Sequence, residues 1–341
     1  MTKIYFVGNL ATTFIRRDYE ILKKHFDVDV VKLPKTKFEW IKYPSLVKKK
    51  IKKSDVVFGW FAGWHTAPAV HYAKRYGKKS VVVAGGYDVV FLPEINYGAF
   101  TNLKEKIPAK YVLKNADLII SVSKSNQKEL LEKVKPRKNI LIYNGVPLNK
   151  FPPSGFDKEN LAITVGGIKH SNLKRKGIET FVKSAKYLPD VHFAVIGKFI
   201  DDAIDYLKAI APPNVEFTGF VSDEELVEWY QRAKVYVQVS AHEGFGITVA
   251  ESMLCGCIPV VTKRFALPEV VGDCGFYVPY GDEKATAEAI RKALYAPNEL
   301  GKKARERIKK MFSMERRERE LVKTIRFLEV GVEEDKQHEK S

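Results

Sequence analysis

The feature that most constrains the fold is an alternation of short apolar runs with amphipathic stretches, which occurs in two series along the chain. In the first series, runs such as Ile4–Val7 and Val81–Ala84 are separated by segments with helical periodicity. The second series begins at Ala162–Val165 and includes Val235–Val239. Strand-length runs that alternate with helical segments are typical of βα units around a parallel sheet. The alternation therefore predicts an α/β fold that is built twice.

A turn-rich segment of Pro, Ser and Gly at residues 152–155 separates the two series. Such a composition is typical of linkers between independent cores. The chain of 341 residues also exceeds the roughly 250–300 residues at which single cores stop growing. We therefore expect two Rossmann-like domains that face each other across a cleft, spanning residues 1–154 and 155–310. A helix over residues 311–330 is expected to cross back and pack across both, followed by a polar tail at 331–341.

The net positive charge of the chain comes from its first half. Residues 1–155 hold 29 Lys and Arg against 12 Asp and Glu, whereas residues 156–341 hold 29 of each kind. A field of one sign on one domain attracts an anionic partner to that domain. Lipid, phosphate and nucleic acid all fit this description, so charge alone leaves the partner open.

Cysteine usage and the start of the chain bear on the compartment in which the protein works. The cysteines, Cys255, Cys257 and Cys274, form neither a disulfide framework nor a four-ligand zinc pattern. The sequence begins without a basic and apolar leader, and no run approaches the roughly 20 apolar residues that span a bilayer. We expect a reduced, cytoplasmic protein that needs neither a metal nor a cofactor.

The segment from Glu243 to Glu251 is the strongest candidate for a binding site. Gly244 and Gly246 allow the chain to turn tightly out of the preceding strand, and a helix is predicted from Ile247. The amides at a helix N-terminus can hold an anion, and two carboxylates can accept hydrogen bonds from several hydroxyls. These properties suit a phosphate, a sugar and a ribose. A helix-capping loop with two solvated acids is the structural alternative.

The second half of the chain resembles family 4 of the retaining glycosyltransferases, which have the GT-B architecture. In the family's motif, Gly-Phe-Gly follows the first acid and seven residues separate the two acids, as they do from Glu243 to Glu251. The resemblance covers residues 140–285, and it extends over the first 139 residues only in general layout. Six further markers occur in the family's order: Val165–Gly167, Arg175–Gly177, Val195–Gly197, Phe217–Val221, Cys255–Val261 and Pro268–Val271.

The resemblance implies transfer of a sugar from a nucleotide-diphospho-sugar to an acceptor hydroxyl, with the anomeric configuration retained and without a metal. It implies that Glu243 contacts the donor sugar, that Glu251 contacts the ribose and that Lys176 neutralises the diphosphate. Phe220 and Val221 would line the nucleobase, which could be that of UDP, GDP or ADP. The remaining donor-side residues that it implies are Gly244, Phe245, Gly246, Ile247, Gly166, Gly167 and Arg175.

The chain departs from the family pattern at two positions. Members usually carry an arginine where this chain has Gly167, so either a second positive charge comes from Arg175, Lys169 or Lys174, or the transition state is stabilised less. The family's histidine near Gly85 is absent, which weakens a catalytic role for that loop.

Candidates for the catalytic and acceptor side lie at predicted strand ends in the first half. Asp88 keeps the position of the family's aspartate, and it is assigned either to a substrate hydroxyl or to the cap of the next helix. Asn9 follows the first strand, and Gly85 and Gly86 form a glycine turn where a backbone can approach a ligand. His65 is a further candidate, with a structural hydrogen bond as the alternative.

The segment Lys32–Lys53 contains nine lysines among aromatic and aliphatic side chains. Such a mixture is typical of a surface that binds anionic lipid, with rings at the level of the headgroups. It predicts peripheral binding to the inner face of a membrane. The alternative is a solvated, lysine-rich helix of a heat-adapted protein.

Two other classes of function were weighed against sugar transfer. A nucleotide-sugar epimerase of the same architecture would bind a similar donor without an acceptor. A nucleic-acid-binding protein would account for the charge, but it would not explain Glu243 and Glu251 at a glycine-rich helix entrance. We therefore expect a glycosyltransferase that does not bind nucleic acid.

Overall fold

The computed structural model describes residues 1–155 and 157–338 of the chain, which divide into two compact units. Unit 1 comprises Met1–Asn144 together with the chain from Glu315 onward, and unit 2 comprises Gly145–Met314. Each unit contains one six-stranded sheet in which all neighbouring strands are parallel. The predicted α/β fold, built twice, is confirmed.

The sheet of unit 1 has the strand order β2-β1-β3-β4-β5-β6. Its strands are β1 (Lys3–Val7), β2 (Asp27–Val30), β3 (Val56–Trp60), β4 (Lys79–Ala84), β5 (Leu118–Ser121) and β6 (Asn139–Leu141). The helices between them are α1 (Thr13–His25), α2 (Lys37–Ile51), α3 (Ala67–Arg75), α4 (Leu103–Asn115) and α5 (Lys124–Lys133). Every residue of β3 is buried, as expected for a parallel strand with both faces covered.

The sheet of unit 2 has the strand order β12-β11-β10-β7-β8-β9. Its strands are β7 (Glu159–Val165), β8 (His192–Ile196), β9 (Val215–Gly219), β10 (Ala233–Gln238), β11 (Ile258–Thr262) and β12 (Phe276–Val278). Its helices are α6 (His170–Arg175), α7 (Ile178–Ser184), α8 (Ala203–Ile210), α9 (Asp223–Arg232), α10 (Ile247–Leu254), α11 (Leu267–Val271), α12 (Glu283–Tyr295) and α13 (Asn298–Met311). Read from β9, this is the order of a dinucleotide-binding Rossmann sheet.

The boundary between the units lies ten residues before the predicted one, at Asn144 rather than at residue 154. The reason is that the intervening segment packs on unit 2. The amide of Val146 donates to the carbonyl of Phe312, and the ring of Phe151 packs near that of Tyr230, with 6.2 Å between centroids.

The C-terminal helical region also differs from the prediction. Helix α14 (Met314–His338) follows a break at Phe312 and Ser313, and it runs past residue 330 into the predicted polar tail. Residues from Glu315 onward group with unit 1, where the buried Arg317 binds Asp18. The last part of the predicted tail, residues 339–341, lies outside the described residues.

A helix that crosses a bilayer must be both long and apolar. In the part of the chain that the structure describes, no helix combines the length and the apolar content that a membrane span requires.

Candidate active site

The strand order of unit 2 reverses between β7 and β10, which are hydrogen-bonded neighbours. In open parallel sheets, ligands bind outside the carboxyl ends of the strands at such a switch point. Strand β7 leads into Gly166 and Gly167. Strand β10 leads into the loop that holds Glu243. The topology therefore brings the two strongest sequence motifs to the same edge of the sheet.

Glu243 lies in a network of buried polar groups. Its Oε1 accepts hydrogen bonds from Gln238 Nε2 at 2.7 Å and from Ser240 Oγ at 3.0 Å. Gln238 in turn accepts hydrogen bonds from the hydroxyls of Tyr236 at 2.8 Å and Thr248 at 2.9 Å. These contacts hold the carboxylate of Glu243 in place, while 16% of its side-chain surface remains exposed.

Lys176 faces Glu243, with 3.9 Å between Nζ and Oε1. Two glycines make room for this arrangement. A Cβ on Gly166 would lie 2.9 Å from Cδ of Lys176. Gly177 adopts a φ of 71°, and a Cβ there would collide with the carbonyl of Val239. Gly177 is therefore required by its backbone conformation and by the carbonyl of Val239, whereas Gly166 leaves room for the aliphatic stem of Lys176.

Burial and neighbouring charges shift the pKa values of both groups. Burial lowers the pKa of Lys176, Glu243 opposes that shift, and Arg175 adds to it. For Glu243, burial favours the protonated form, but Lys176, Arg175 and the hydrogen bond from Ser240 hold its pKa below the ordinary value. The carboxylate is therefore ionised at neutral pH.

Arg175 belongs to the same electrostatic group, and it is tied to the glycine turn after β7. Its Nη2 donates to Asn172 Oδ1 at 2.8 Å, and Asn172 Nδ2 donates to the carbonyl of Gly167 at 2.7 Å. Among the three predicted sources of a second positive charge, Arg175 thus has a defined position beside Glu243 and Lys176. Lys174 is exposed and Lys169 is half-buried.

Helix α10 begins directly after Gly246, whose φ of 99° lies in the left-handed region that favours glycine. Gly244 and Ile247 are half-buried on either side of this turn. The ring of Phe245 is 3% exposed and packs edge-on against Phe312, with 5.3 Å between centroids. The side chain of Phe245 therefore belongs to the core, and a contact between Phe245 and the donor stays a prediction.

Glu251 lies in α10 and is 6% exposed. Burial is the main cause of the raised pKa of Tyr236, and Glu243 and Glu251 both raise it further by charge repulsion. The two acids of the motif therefore act electrostatically on one buried tyrosine, whose hydroxyl donates to Gln238.

The predicted nucleobase residues follow β9, at the same carboxyl edge of the sheet. Gly219 ends the strand with a φ of 74°. Phe220 is 77% exposed, and Val221 is half-buried. An exposed ring at this edge is available to a planar ligand.

In unit 1, the strand order reverses between β1 and β3. Asn9 follows β1, where its Oδ1 accepts a hydrogen bond from the amide of Ala11 at 3.1 Å. His65 follows β3, and its Nε2 lies 2.8 Å from the carbonyl oxygen of Trp60. Burial lowers the pKa of His65, so the imidazole is neutral and donates to that carbonyl. This contact is the structural hydrogen bond that the sequence analysis gave as the alternative.

Asp88 is fully buried, which conflicts with both of its predicted roles. Its Oδ2 accepts from the amide of Ala62 at 2.8 Å, and its Oδ1 accepts from the amides of Gly85 at 3.1 Å and Gly86 at 3.0 Å. Residues 87–89 form a turn, so Asp88 caps no helix. Burial raises the pKa of Asp88 to about 6. The side chain is a positioning residue that joins the loops after β3 and β4.

The glycine turn after β4 also packs closely. A Cβ on Gly85 would collide with the ring of Phe61, which itself adopts a φ of 63°. A positive φ is uncommon for a residue other than glycine and often marks a functional loop. Sequence reasoning did not single out Phe61, because nothing in its neighbours signals the strained backbone.

One group of possible metal ligands occurs among the described residues. His170, Asp201 and Asp202 each place a ligand atom within 4.8 Å of the others, and all three are exposed. His170 Nε2 lies 3.0 Å from Asp202 Oδ1, so the two can pair without an ion. Exposed groups of this kind are common without a metal.

Sequence reasoning also missed Gln238 and Asn172. Gln238 is 1% exposed and connects Glu243 to Tyr236, and Asn172 is 6% exposed and connects Arg175 to Gly167. A glutamine within the apolar run Val235–Val239 is an available signal, because a buried amide requires hydrogen-bond partners. Asn172 gives no comparable signal in its polar surroundings.

Parts of the chain match a known family and several known proteins in sequence. Residues 147–311 match the model of the family described as glycosyl transferases group 1. A similar protein is O-antigen chain mannosyltransferase B of Escherichia coli, which is 38% identical over 80 residues. That match covers 24% of this chain and 21% of the relative. The matches to seven other curated relatives cover between 7% and 54% of their lengths.

Solved structures resemble the chain over almost its full length. Sucrose-phosphate synthase from Thermosynechococcus elongatus superposes with a TM-score of 0.80 at 18% identity, covering 97% of this chain and 100% of that one. The Anabaena protein HepE, in complex with UDP-glucose, superposes with a TM-score of 0.76 at 16% identity and covers 95% and 99%. The chain therefore has the two-domain α/β fold of GT-B glycosyltransferases, and the match to group 1 lies in residues 147–311.

Proposed function

We propose that this protein is a retaining glycosyltransferase of family 4, which transfers a sugar from a nucleotide-diphospho-sugar to an acceptor hydroxyl. The observation that carries the proposal is the pair of Glu243 and Lys176 at the switch point of unit 2, with 3.9 Å between the charged atoms. An ionised acid and a cation at a ligand-binding edge suit a substrate that has both hydroxyls and a diphosphate.

The donor is assigned to unit 2. Glu243 accepts hydrogen bonds from the donor sugar, and Glu251 accepts them from the ribose. The exposed ring of Phe220 and the adjacent Val221 contact the nucleobase. The solved complex of HepE with UDP-glucose supports a nucleotide-sugar as the donor class.

The diphosphate gains negative charge as its bond to the anomeric carbon breaks. Lys176 and Arg175 stabilise that charge, together with the amides at the N-terminus of α10. Because these groups are held before the reaction, no reorganisation is needed when the charge develops. This arrangement requires no metal. A bond from the anomeric carbon to the acceptor oxygen replaces the broken one on the same face of the sugar, and the acceptor hydroxyl gives its proton to the departing diphosphate.

The acceptor is assigned to unit 1, near Asn9, His65 and the glycine turn at Gly85 and Gly86. Asp88 acts there indirectly, because it holds the amides of that turn. The cytoplasm is the proposed location. The alternatives of an epimerase and a nucleic-acid-binding protein receive no support from the comparisons.

A thermal-shift panel of UDP, GDP, ADP and their sugar conjugates tests the donor site. A ligand at 100 times its Kd stabilises the folded protein by about 2.7 kcal/mol, so one nucleotide series should raise the melting temperature clearly. Lys176→Ala should lose that rise, whereas the control Lys183→Met should keep it, since Lys183 pairs with Glu179 outside the site. No shift with any nucleotide, or a full shift in Lys176→Ala, contradicts the proposal. Retention is read from the anomeric configuration of the product.

A further inference from the structure

The ends of three neighbouring helices in unit 1 expose an unusual number of large apolar side chains. In α2, Phe38 is 63% exposed and Ile41 is 77% exposed. Trp64, in the loop before α3, is 52% exposed. In α4, Leu103 is 69% exposed and Ile107 is 59% exposed. We call these five residues the apolar rim.

The members of the apolar rim share one edge of unit 1. Helices α2, α3 and α4 follow β2, β3 and β4, so their N-terminal ends lie at the carboxyl ends of parallel strands. Helix α3 packs against both α2 and α4. The hydroxyl of Tyr43, in α2, donates to the carbonyl of His65 at 2.9 Å and so ties α2 to the loop that holds Trp64. The rim therefore extends across three adjacent helices.

Lysines outnumber acids in the two helical segments that carry most of the apolar rim. The segment 32–53 contains nine lysines and one acid, Glu39, and α4 contains four lysines and one acid, Glu105. Glu39 is engaged in a capping box with Thr36 at the start of α2. Nζ of Lys42 lies 4.1 Å from the ring centroid of Phe38, so the positive charge lies directly next to an exposed ring. Positive charge and exposed apolar surface thus occur together.

We propose that the apolar rim and its lysines dock unit 1 on an anionic lipid membrane. Exposed Trp, Phe, Ile and Leu side chains enter the boundary between headgroups and acyl chains, while the lysines lie among the anionic headgroups. Nucleic acid would use the lysines but would leave aliphatic residues such as Ile41, Leu103 and Ile107 without a role. The acceptor candidates of unit 1 follow strands at this same edge, so docking would hold the enzyme at a lipid-borne acceptor.

Vesicle co-sedimentation of the full chain tests the proposal without depending on sugar transfer. The vesicles contain phosphatidylcholine alone or an equal mixture with phosphatidylglycerol. Each lysine near an anionic surface contributes about a fivefold gain in partitioning, so Lys42→Glu with Lys104→Glu should reduce binding to the anionic vesicles at least about 25-fold. Ile41→Ser with Leu103→Ser should reduce it about tenfold or more, because binding scales with buried apolar area.

Matched controls come from unit 2. Lys284→Glu with Lys302→Glu changes the net charge equally, and Tyr295→Ser removes a ring that is 86% exposed. Both controls should bind as the wild type does, and all variants should keep its melting temperature. Equal binding to both vesicles, no binding, or unchanged binding of the apolar variant would overturn the proposal. Competition by an RNA homopolymer at the same affinity would also overturn it. Nucleotide binding in unit 2 is measured separately, so the two proposals can fail independently.

Discussion

Each unit contains an ion pair, and the two pairs differ in the distance between the charges and in their exposure to solvent. In unit 1, Arg317 binds Asp18 through two hydrogen bonds of 2.6 Å, and the side chains are 2% and 0% exposed. In unit 2, Lys176 and Glu243 are 3.9 Å apart, and their side chains are 19% and 16% exposed. The first pair is closed to solvent, whereas the second remains partly exposed.

The two pairs also differ in the other hydrogen bonds that their side chains make. Asp18 also accepts from Trp60 Nε1 at 2.9 Å, and Arg317 donates to the carbonyls of Ile142 and Tyr143. These bonds join α14 to the sheet of unit 1. Lys176 Nζ makes no hydrogen bond to any described residue, and its pKa is lowered by burial. Removing one partner of a fully bonded buried pair destabilises the fold, whereas a cation without hydrogen bonds can still meet another negative charge.

The largest expected effect is on the closed pair. Arg317→Met leaves the carboxylate of Asp18 buried without its cation, so the free energy of unfolding should fall by about 3–5 kcal/mol in urea titration. The neighbouring Arg316 pairs with Glu320 at side-chain exposures of 39% and 32%, so loss of that pair in Arg316→Met should cost about 0.5 kcal/mol or less. Equal losses in the two variants would remove the distinction between the pairs.

The next effect concerns the open pair. Lys176→Met should lower the rate of sugar transfer by about 10²–10³, because it removes one preorganised charge from the developing diphosphate. The free energy of unfolding should fall by much less than in Arg317→Met, since the charged atoms are 3.9 Å apart and both side chains are partly exposed. Lys183→Met provides the control for both assays. A large loss of stability with normal transfer in Lys176→Met would mean that this pair, too, is structural.

A smaller effect is expected at Asp88, an acid that is held by amides rather than by an opposite charge. Burial raises its pKa from 3.8 to about 6, so ionisation is disfavoured in the folded state. The loss of stability caused by ionising this buried carboxyl group is therefore absent below about pH 4 and grows until about pH 6. Relative to Asp88→Asn, the wild type should lose about 3 kcal/mol of unfolding free energy between those values. A constant difference between the two proteins over this range would show that the pKa of Asp88 is not raised.

Much of the fold was predictable because strand-length apolar runs and helical periodicity are local signals. The runs at Ile4–Val7 and Ala162–Val165 lie within β1 and β7. Strand β12, which has three residues, was not among the runs that the sequence indicated. The boundary near residue 154 was displaced because composition marks a turn but does not show which core the preceding segment joins.

The residues of the candidate site that belong to sequence motifs were predictable. Glu243 and Lys176 are 67 positions apart in sequence, and the motifs indicated both. The network through Gln238 was not visible, because side-chain partners depend on the register of neighbouring strands. For Asp88, the match to the position of the family's aspartate did not reveal that the carboxylate is buried against three backbone amides.

The sequence by itself determined the alternation of strands and helices, the glycines that the turns require and the excess of lysine in the first half. These properties depend on residue type and local spacing. Only the tertiary structure decided that α14 returns to unit 1, that Asp18 is paired and Asp88 is not, and that the apolar rim forms from three separate segments. The reason is physical: burial and pairing depend on which distant residues pack together, and that information lies in no single stretch of chain.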